Sequence, residues 1–201
     1  MRLIFIRHGQ TEWNRQGRYQ GRTDVPLCAA GVAEAHGAGA ALRESGASLL
    51  LSSPLERARA TARIVAARLG AVACQVDDRL IELGFGEWEG LTQTEIKARW
   101  PELLRAWKRA PQSVRFPGGE SLEEASRRLE DFLRRPPWTG IADPRCVIAV
   151  THTGPIRMAK LGADGRPLSD YRRLALERGA AHEFEWDPAG RLRPAGLHPL
   201  T

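Results

Sequence analysis

Three polar clusters in this sequence each follow a short apolar run, and together they hold residue types suited to a phosphate. Arg7-His8-Gly9 follows the run Arg2 to Ile6, Ser53 to Arg57 follows Leu49-Leu50-Leu51, and His152-Thr153-Gly154 follows Cys146 to Thr151. If each run is a buried strand, the clusters lie at strand ends, and ligands of open parallel sheets bind beyond the carboxyl ends of strands. Two of the five His residues emerge there, each close to a Gly that lets backbone approach a ligand. Arg7 and Arg57 beside them suit a dianion, because guanidinium groups grip phosphate with a fixed, two-pronged geometry. A neutral imidazole can attack phosphorus and be held as a phosphohistidine, while the Arg groups stabilise charge on the equatorial oxygens. That chemistry needs no metal, and no cofactor is expected. The leaving oxygen does need a proton donor, a carboxyl whose pKa burial raises toward neutrality. Glu82, in the stretch LIELGFGEWEG, is placed for that role, with Glu87 and Glu89 as rivals that spacing alone does not separate.

The elements that must position these groups are strands alternating with helices. After Leu49-Leu50-Leu51, Ser53 as N-cap, Pro54 at the first helical position and Glu56 at the third form an expected capping box. Leu55, Ala58, Ala62, Val65, Ala66 and Leu69 then share one face. Val72 to Val76 is an expected strand. Leu122, Ala125, Leu129, Phe132 and Leu133 form an apolar stripe on a helix capped by Ser121, with Glu124 three residues on. Pro155 is fit to open a helix after the second His cluster. Leu174 to Leu176 and His182 to Trp186 suggest two final strands, with Asp187 to Gly190 as the turn closing the last. This alternation implies an α/β fold with a mostly parallel sheet covered on both faces. No repeat or linker interrupts residues 1–201, which read as a single domain. Residues 84–119 depart from regularity with Trp88, Trp100, Trp107, several Pro and Gly118-Gly119, and are expected to form a lid-like insertion over the site.

Composition excludes several classes. The chain has 201 residues, 42% hydrophobic and 27% charged, with a formal charge of +6. No stretch has the roughly 20 consecutive apolar residues of a membrane span, and the first residues lack a secretory signal, so a cytoplasmic protein is expected. Cys28, Cys74 and Cys146 are odd in number and widely spaced, which argues against a disulfide framework or thiolate zinc site. They read as small buried hydrophobes. The Arg residues alternate with Glu along helical stretches, which favours solvated faces over a nucleic-acid stripe. Asp24 reads as a turn residue, and His36, His182 and His198 as structural or exposed. Ser53 lies in no G-x-S-x-G elbow, and no H-x-x-x-H spacing supports a metal site.

The order of these motifs resembles the histidine phosphatase superfamily, also called phosphoglycerate mutase-like. LIFIRHGQTEWNRQGRYQGRTDVPLCAAG matches the family's opening signature, and SSPLERARATA, LIELGFGEWEG, FPGGESLEE and VTHTGPIR follow in the family's order. The resemblance runs from residue 2 to about residue 186 and implies a three-layer α/β/α sandwich with a mostly parallel sheet of about six strands. It implies that His8 is the phosphorylated nucleophile, that Glu82 rather than its neighbours is the general acid, and that Arg7, Arg57 and His152 complete the phosphate pocket. Asn14, Gln20, Gly21 and Thr153 match further substrate-binding positions, and the backbone N–H after His152 would donate to the phosphate.

Two departures stand out. Thr153 occupies a position where many members have a second Gly, and the segment MAKLGADGRPLSDY implies a short or loosened helix. Glu82 and Gly118 are closer together than in phosphoglycerate mutases, which implies a phosphomonoesterase acting on a small phosphorylated metabolite. A mutase is the first alternative, and a non-catalytic phosphoester-binding regulatory protein a second. Arg99, Arg105, Lys108, Arg109 and Arg115 make this interval basic, as a solvated helix face or as contacts for an acidic substrate. The oligomeric state is not legible in the sequence.

Overall fold

The computed structural model describes residues 1–70, 72–139, 144–177 and 179–200. Six strands form one sheet: β1 (Arg2–Arg7), β2 (Leu49–Ser52), β3 (Cys74–Val76), β4 (Cys146–Thr151), β5 (Ala180–Trp186) and β6 (Leu192–Pro199). Their spatial order is β3-β2-β4-β1-β5-β6. β1, β2, β3 and β4 run parallel, β5 runs antiparallel to β1, and β6 pairs antiparallel with β5 at the edge. The central strands β1 and β4 are near-continuous apolar runs because both of their faces are covered.

The two faces carry different cores. Leu3, Phe5, Leu51, Val147, Ala149 and Phe184 point toward α6 (Leu122–Arg134) and α7 (Thr153–Ala163), where Phe116, Phe132, Trp88 and Trp107 fill the space. Ile4, Ile6, Leu50, Ile148 and Val150 point the other way, onto α2 (Ala29–Ala41) and α3 (Glu56–Arg68). That second layer packs through small residues, Ala38, Ala58 and Ala62, which let the helices lie close to the sheet. The α2 helix was not legible because its buried positions are Gly31, Ala35, Ala38 and Gly39, so it has no large-apolar stripe to reveal its period.

Other readings are corrected at the chain's end. Leu174 to Leu176 is not a strand, whereas Leu192–Pro199 is one. Pro194, Gly196 and Pro199 argue against a strand in sequence, but β6 lies at the sheet edge, where proline is tolerated. Asp187 to Gly190 therefore joins β5 to β6 rather than closing the last strand. After Arg157 the chain continues as regular helix to Ala163, with Met158, Ala159 and Leu161 buried, so α7 is not loosened there. Of the three cysteines only Cys146 is buried; Cys28 is half-buried and Cys74 exposed.

Residues 84–119 contain α4 (Gln93–Arg99), α5 (Pro101–Arg109) and two single 3-10 turns. Trp88 and Trp107 lie within the main core, both with ring centroids 5.0 Å from Phe116. Arg99, Arg105, Lys108, Arg109 and Arg115 are all exposed, with Arg105 and Arg115 paired to Glu102 and Glu124. Among the described residues no helix is long and apolar enough to cross a membrane.

Candidate active site

β1 and β4 are adjacent and parallel, so the residues that follow them emerge side by side. His8 N donates to Thr151 O at 3.0 Å, and the His8 and His152 ring centroids are 5.0 Å apart. His8 Nδ1 lies 2.7 Å from Gly9 O. A carbonyl only accepts, so Nδ1 carries the proton and Nε2 presents its lone pair. Gly9 is required here, because a Cβ would overlap the backbone of Gly31 in α2.

Arg57 enters from the first turn of α3, just beyond the end of β2, and is buried. Its Nε donates to His8 Nε2 at 3.2 Å, Nη1 to Thr23 O at 2.8 Å and Nη2 to Gly21 O at 2.7 Å. With the Gln20 amide oxygen turned toward Arg57, it accepts from Nε and Nη1, both at 3.1 Å, while the amide nitrogen donates to Thr11 Oγ1 at 2.8 Å. Asn14 stands one step further out: its Oδ1 closes the capping box of α1 (Glu12–Arg15) on Thr11, and its Nδ2 lies 3.2 Å from the Gln20 amide. Gln20 and Gly21 thus aim the guanidinium, and Gly21 has φ +55°, a conformation suited to glycine.

Glu82 is buried, and the two hydrogen bonds its carboxyl makes among the described residues fall on Oε1, from Leu83 N at 2.8 Å and from Gly154 N at 2.9 Å. Burial raises its pKa from the ordinary carboxylate value, against the opposing pull of those two amides, Arg57 and Arg7. The same burial holds both His8 and His152 well below the ordinary imidazole value, helped at His8 by Arg7 and Arg57 and at His152 by Arg57, His8 and Arg7. Arg57 itself is lowered to about 10, chiefly by burial, and stays protonated at neutral pH. The site therefore combines neutral imidazoles with charged guanidinium groups. The structure brings Arg7, His8, Arg57, Glu82 and His152 together at one end of the parallel strands. Thr153, half-buried, is the first residue of α7, whose N-terminus directs its dipole and backbone amides toward the same end of the sheet.

The rivals of Glu82 are placed elsewhere. Glu87 is exposed, and Glu89 accepts from Arg22 N, Thr23 N, Thr23 Oγ1 and Phe85 N, tying the 20–23 loop to residue 85. Asp24 is more than a turn residue: its Oδ1 accepts from Glu56 N at 2.8 Å and caps α3 from a distance. This corrects the capping reading of Ser53, since α3 begins at Glu56 and Leu55 makes no side-chain cap. Ser53 is instead fully buried with its Oγ 2.7 Å from His152 Nε2. Sequence reasoning assigned Gly154 to the approach of a ligand and missed its contact with Glu82, where a Cβ would overlap Oε1. It missed the brace formed by Arg128, whose guanidinium donates to Arg79 O, Ile81 O and Glu120 and so holds the loop that carries Glu82. Only contacts across the fold disclose these roles. Among the described residues no group of three or more His, Cys, Asp or Glu is arranged to hold a metal ion. His36 is exposed, His198 pairs with Glu183 at 2.8 Å, and His182 is buried away from these groups in β5.

Comparison with known proteins places this geometry in a family. Residues 3–193 match the family model of the histidine phosphatase superfamily, branch 1. Phosphoserine phosphatase 1 of Hydrogenobacter thermophilus is 35% identical over 170 residues, covering 82% of this chain and 78% of that protein. A 2,3-bisphosphoglycerate-dependent phosphoglycerate mutase of Cytophaga hutchinsonii is 30% identical over 186 residues, covering 92% of this chain and 87% of the mutase. The chain is also 40% identical to a bifunctional protein of Mycobacterium tuberculosis over 197 residues, 96% of its own length but 52% of that protein's. Among solved structures, the alpha-ribazole phosphatase of Shigella flexneri superposes with a TM-score of 0.87 at 26% identity, over 100% of this chain and 98% of that one. With two strand-end histidines, a buried Arg and a buried carboxyl assembled on this sheet, and the family model matched along nearly its whole length, the chain belongs to the histidine phosphatase superfamily.

Proposed function

We propose that this protein hydrolyses small phosphomonoesters through a phosphohistidine at His8, without a metal ion. The observation that carries the reading is the pairing at His8, where Gly9 O holds the Nδ1 proton and Arg57 meets the Nε2 lone pair. Nε2 attacks phosphorus while the bond to the leaving oxygen breaks, and Arg7, Arg57, His152 and the N-terminus of α7 stabilise the transferring group. Glu82, whose carboxyl burial shifts toward the protonated form, gives its proton from Oε2 to the departing alkoxide, because Oε1 is already engaged by two backbone amides. The resulting carboxylate then takes a proton from water, whose oxygen attacks phosphorus as the P–N bond breaks. Inorganic phosphate leaves, and His8 and Glu82 return to their starting states.

The opposed pKa directions make this reactive pair available. With the ordinary values of 6.5 and 4.5, His neutral and Glu protonated would coexist in only about 1% of molecules at the most favourable pH. Burial lowers the one and raises the other, so their reactive forms overlap far more. Hydrolysis is favoured over mutase transfer by the short interval between Glu82 and Gly118, which leaves little chain to seal the site from water. Residues 84–119 would cover the leaving group.

Rapid quenching with a labelled phosphomonoester tests the reading. An acid-labile, base-stable adduct should form in the wild type, be lost in His8→Ala, and persist after exhaustive chelation. An adduct on a carboxylate or on Ser53, or activity restored by one divalent ion, would overturn it. A coupled assay with 3-phosphoglycerate and catalytic 2,3-bisphosphoglycerate should show phosphate release outrunning isomerisation.

A further inference from the structure

Ser53 stands apart from the mechanism above, yet it is buried against one of its imidazoles. Its hydroxyl is 2.7 Å from His152 Nε2, and both residues are fully inaccessible to solvent. The other ring nitrogen, His152 Nδ1, is buried with no hydrogen-bond partner among the described residues. A neutral imidazole has one N–H, so the direction of the Ser53–His152 bond decides what Nδ1 offers to a ligand.

Counting protons decides that direction. Ser53 Oγ accepts from Leu55 N at 3.4 Å, and its own proton has no other acceptor among the described residues. If His152 carried its proton on Nε2, the serine proton would be stranded and Nδ1 would hold a buried lone pair with no donor among the described residues. If Ser53 donates to Nε2, the serine proton is satisfied and Nδ1–H becomes a donor awaiting an acceptor. Buried polar groups are rarely left unpaired, so the second arrangement is the favoured one.

Resting on the phosphatase reading, we propose that Ser53 is a positioning residue that donates its hydroxyl proton to His152 Nε2 and so fixes the Nδ1–H tautomer that hydrogen-bonds the phosphoryl group. Gly9 O performs the complementary service at His8, where a carbonyl takes the Nδ1 proton and leaves Nε2 bare. The two neighbouring imidazoles are thereby locked in the same tautomer by different partners. At His8 the ring nitrogen left for the phosphoryl group is a lone pair for attack, and at His152 it is a donor for binding. An acceptor serves the first purpose and a hydroxyl donor the second.

The test reads the tautomer directly. In uniformly 15N-labelled protein, long-range 1H–15N correlation should show His152 protonated at Nδ1 in the free wild type, assigned by its loss in His152→Gln. Ser53→Ala should release the tautomer, weaken binding of inorganic phosphate about tenfold, and lower kcat/KM for p-nitrophenyl phosphate by a similar factor. With an alkyl phosphate as substrate, the alkaline limb of the pH profile, which belongs to Glu82, should not move, whereas general disruption of the site would shift it. Ser53→Thr keeps the hydroxyl and should restore both tautomer and affinity. Wild-type His152 protonated at Nε2 would overturn the proposal, even if Ser53→Ala fails to fold. So would a phosphoryl adduct on Ser53, which would make it a nucleophile with His152 as its base. Because the tautomer is read without substrate, a locked Nδ1–H in a protein that forms no His8 adduct would refute the phosphatase reading and leave the Ser53 assignment standing.

Discussion

Replacing Glu82 with Gln removes a proton and almost no volume. The amide oxygen can still accept from Leu83 N and Gly154 N, as Oε1 does at 2.8 and 2.9 Å, so the loop and the start of α7 should stay in place. An amide NH2 then occupies the position of Oε2, and it has no proton to give to an alkoxide. General acid catalysis contributes about 10²–10⁴-fold, so phosphorylation by an alkyl phosphate should slow by that order. p-Nitrophenolate departs readily as its anion and should slow by less than about tenfold. Single-turnover release of each alcohol isolates this step from the proposed dephosphorylation. If Glu82 is the acid, the alkaline limb of kcat/KM for the alkyl substrate should also vanish, because that limb would mark Glu82 losing its proton above the ordinary carboxylate pKa. Stability supplies an independent sign. A carboxyl whose folded pKa is raised favours the fold below its unfolded pKa of 4.5, and that contribution is lost as pH rises through the folded value. Glu82→Gln should therefore melt at or above the wild-type temperature at pH 8. Equal slowing of both substrates, with the alkaline limb unchanged, would refute the acid role.

Three further substitutions probe the scaffold. Gly154→Ala should cut turnover of alkyl phosphates by at least about tenfold, because the added Cβ overlaps Glu82 Oε1 and must displace the acid; unchanged kcat would show that Glu82 need not sit there. Arg57→Met removes one of the two cations that, after burial, hold the His8 imidazole below its ordinary value. His8 should then titrate at higher pH when followed by NMR, and an unchanged or lower pKa would contradict this electrostatic account. Ser121→Ala breaks the capping box in which Ser121 Oγ accepts from Glu124 N at 3.3 Å and Glu124 Oε2 accepts from Ser121 N at 2.9 Å. Urea unfolding should show a loss of about 1 kcal/mol with unaltered catalysis.

Local pattern made the frame of this protein legible. The apolar runs at β1, β2 and β4 identify buried strands because a strand covered on both faces has little polar alternation to show. The α6 stripe and its Ser121 cap were equally readable, since periodicity and capping are settled within a few neighbouring residues. The strand-end positions of Arg7, His8, Arg57 and His152 followed from the same runs. Helix α2 and strand β6 were not readable, one because small residues leave no apolar period and the other because only its place at the edge makes its prolines acceptable. Choosing Glu82 from residues alone was likewise beyond local pattern: Glu82, Glu87 and Glu89 look alike in sequence, and burial and amide contacts distinguish them only after folding. Ser53 is the sharpest case. Its sequence neighbours describe a helix cap, but the parallel register of β2 and β4 brings it beneath His152, while Asp24 arrives from another loop to cap α3. A chain can announce which side chains are capable of proton and phosphoryl chemistry, but a hydrogen bond between residues separated by 99 positions exists only once the sheet has set them side by side.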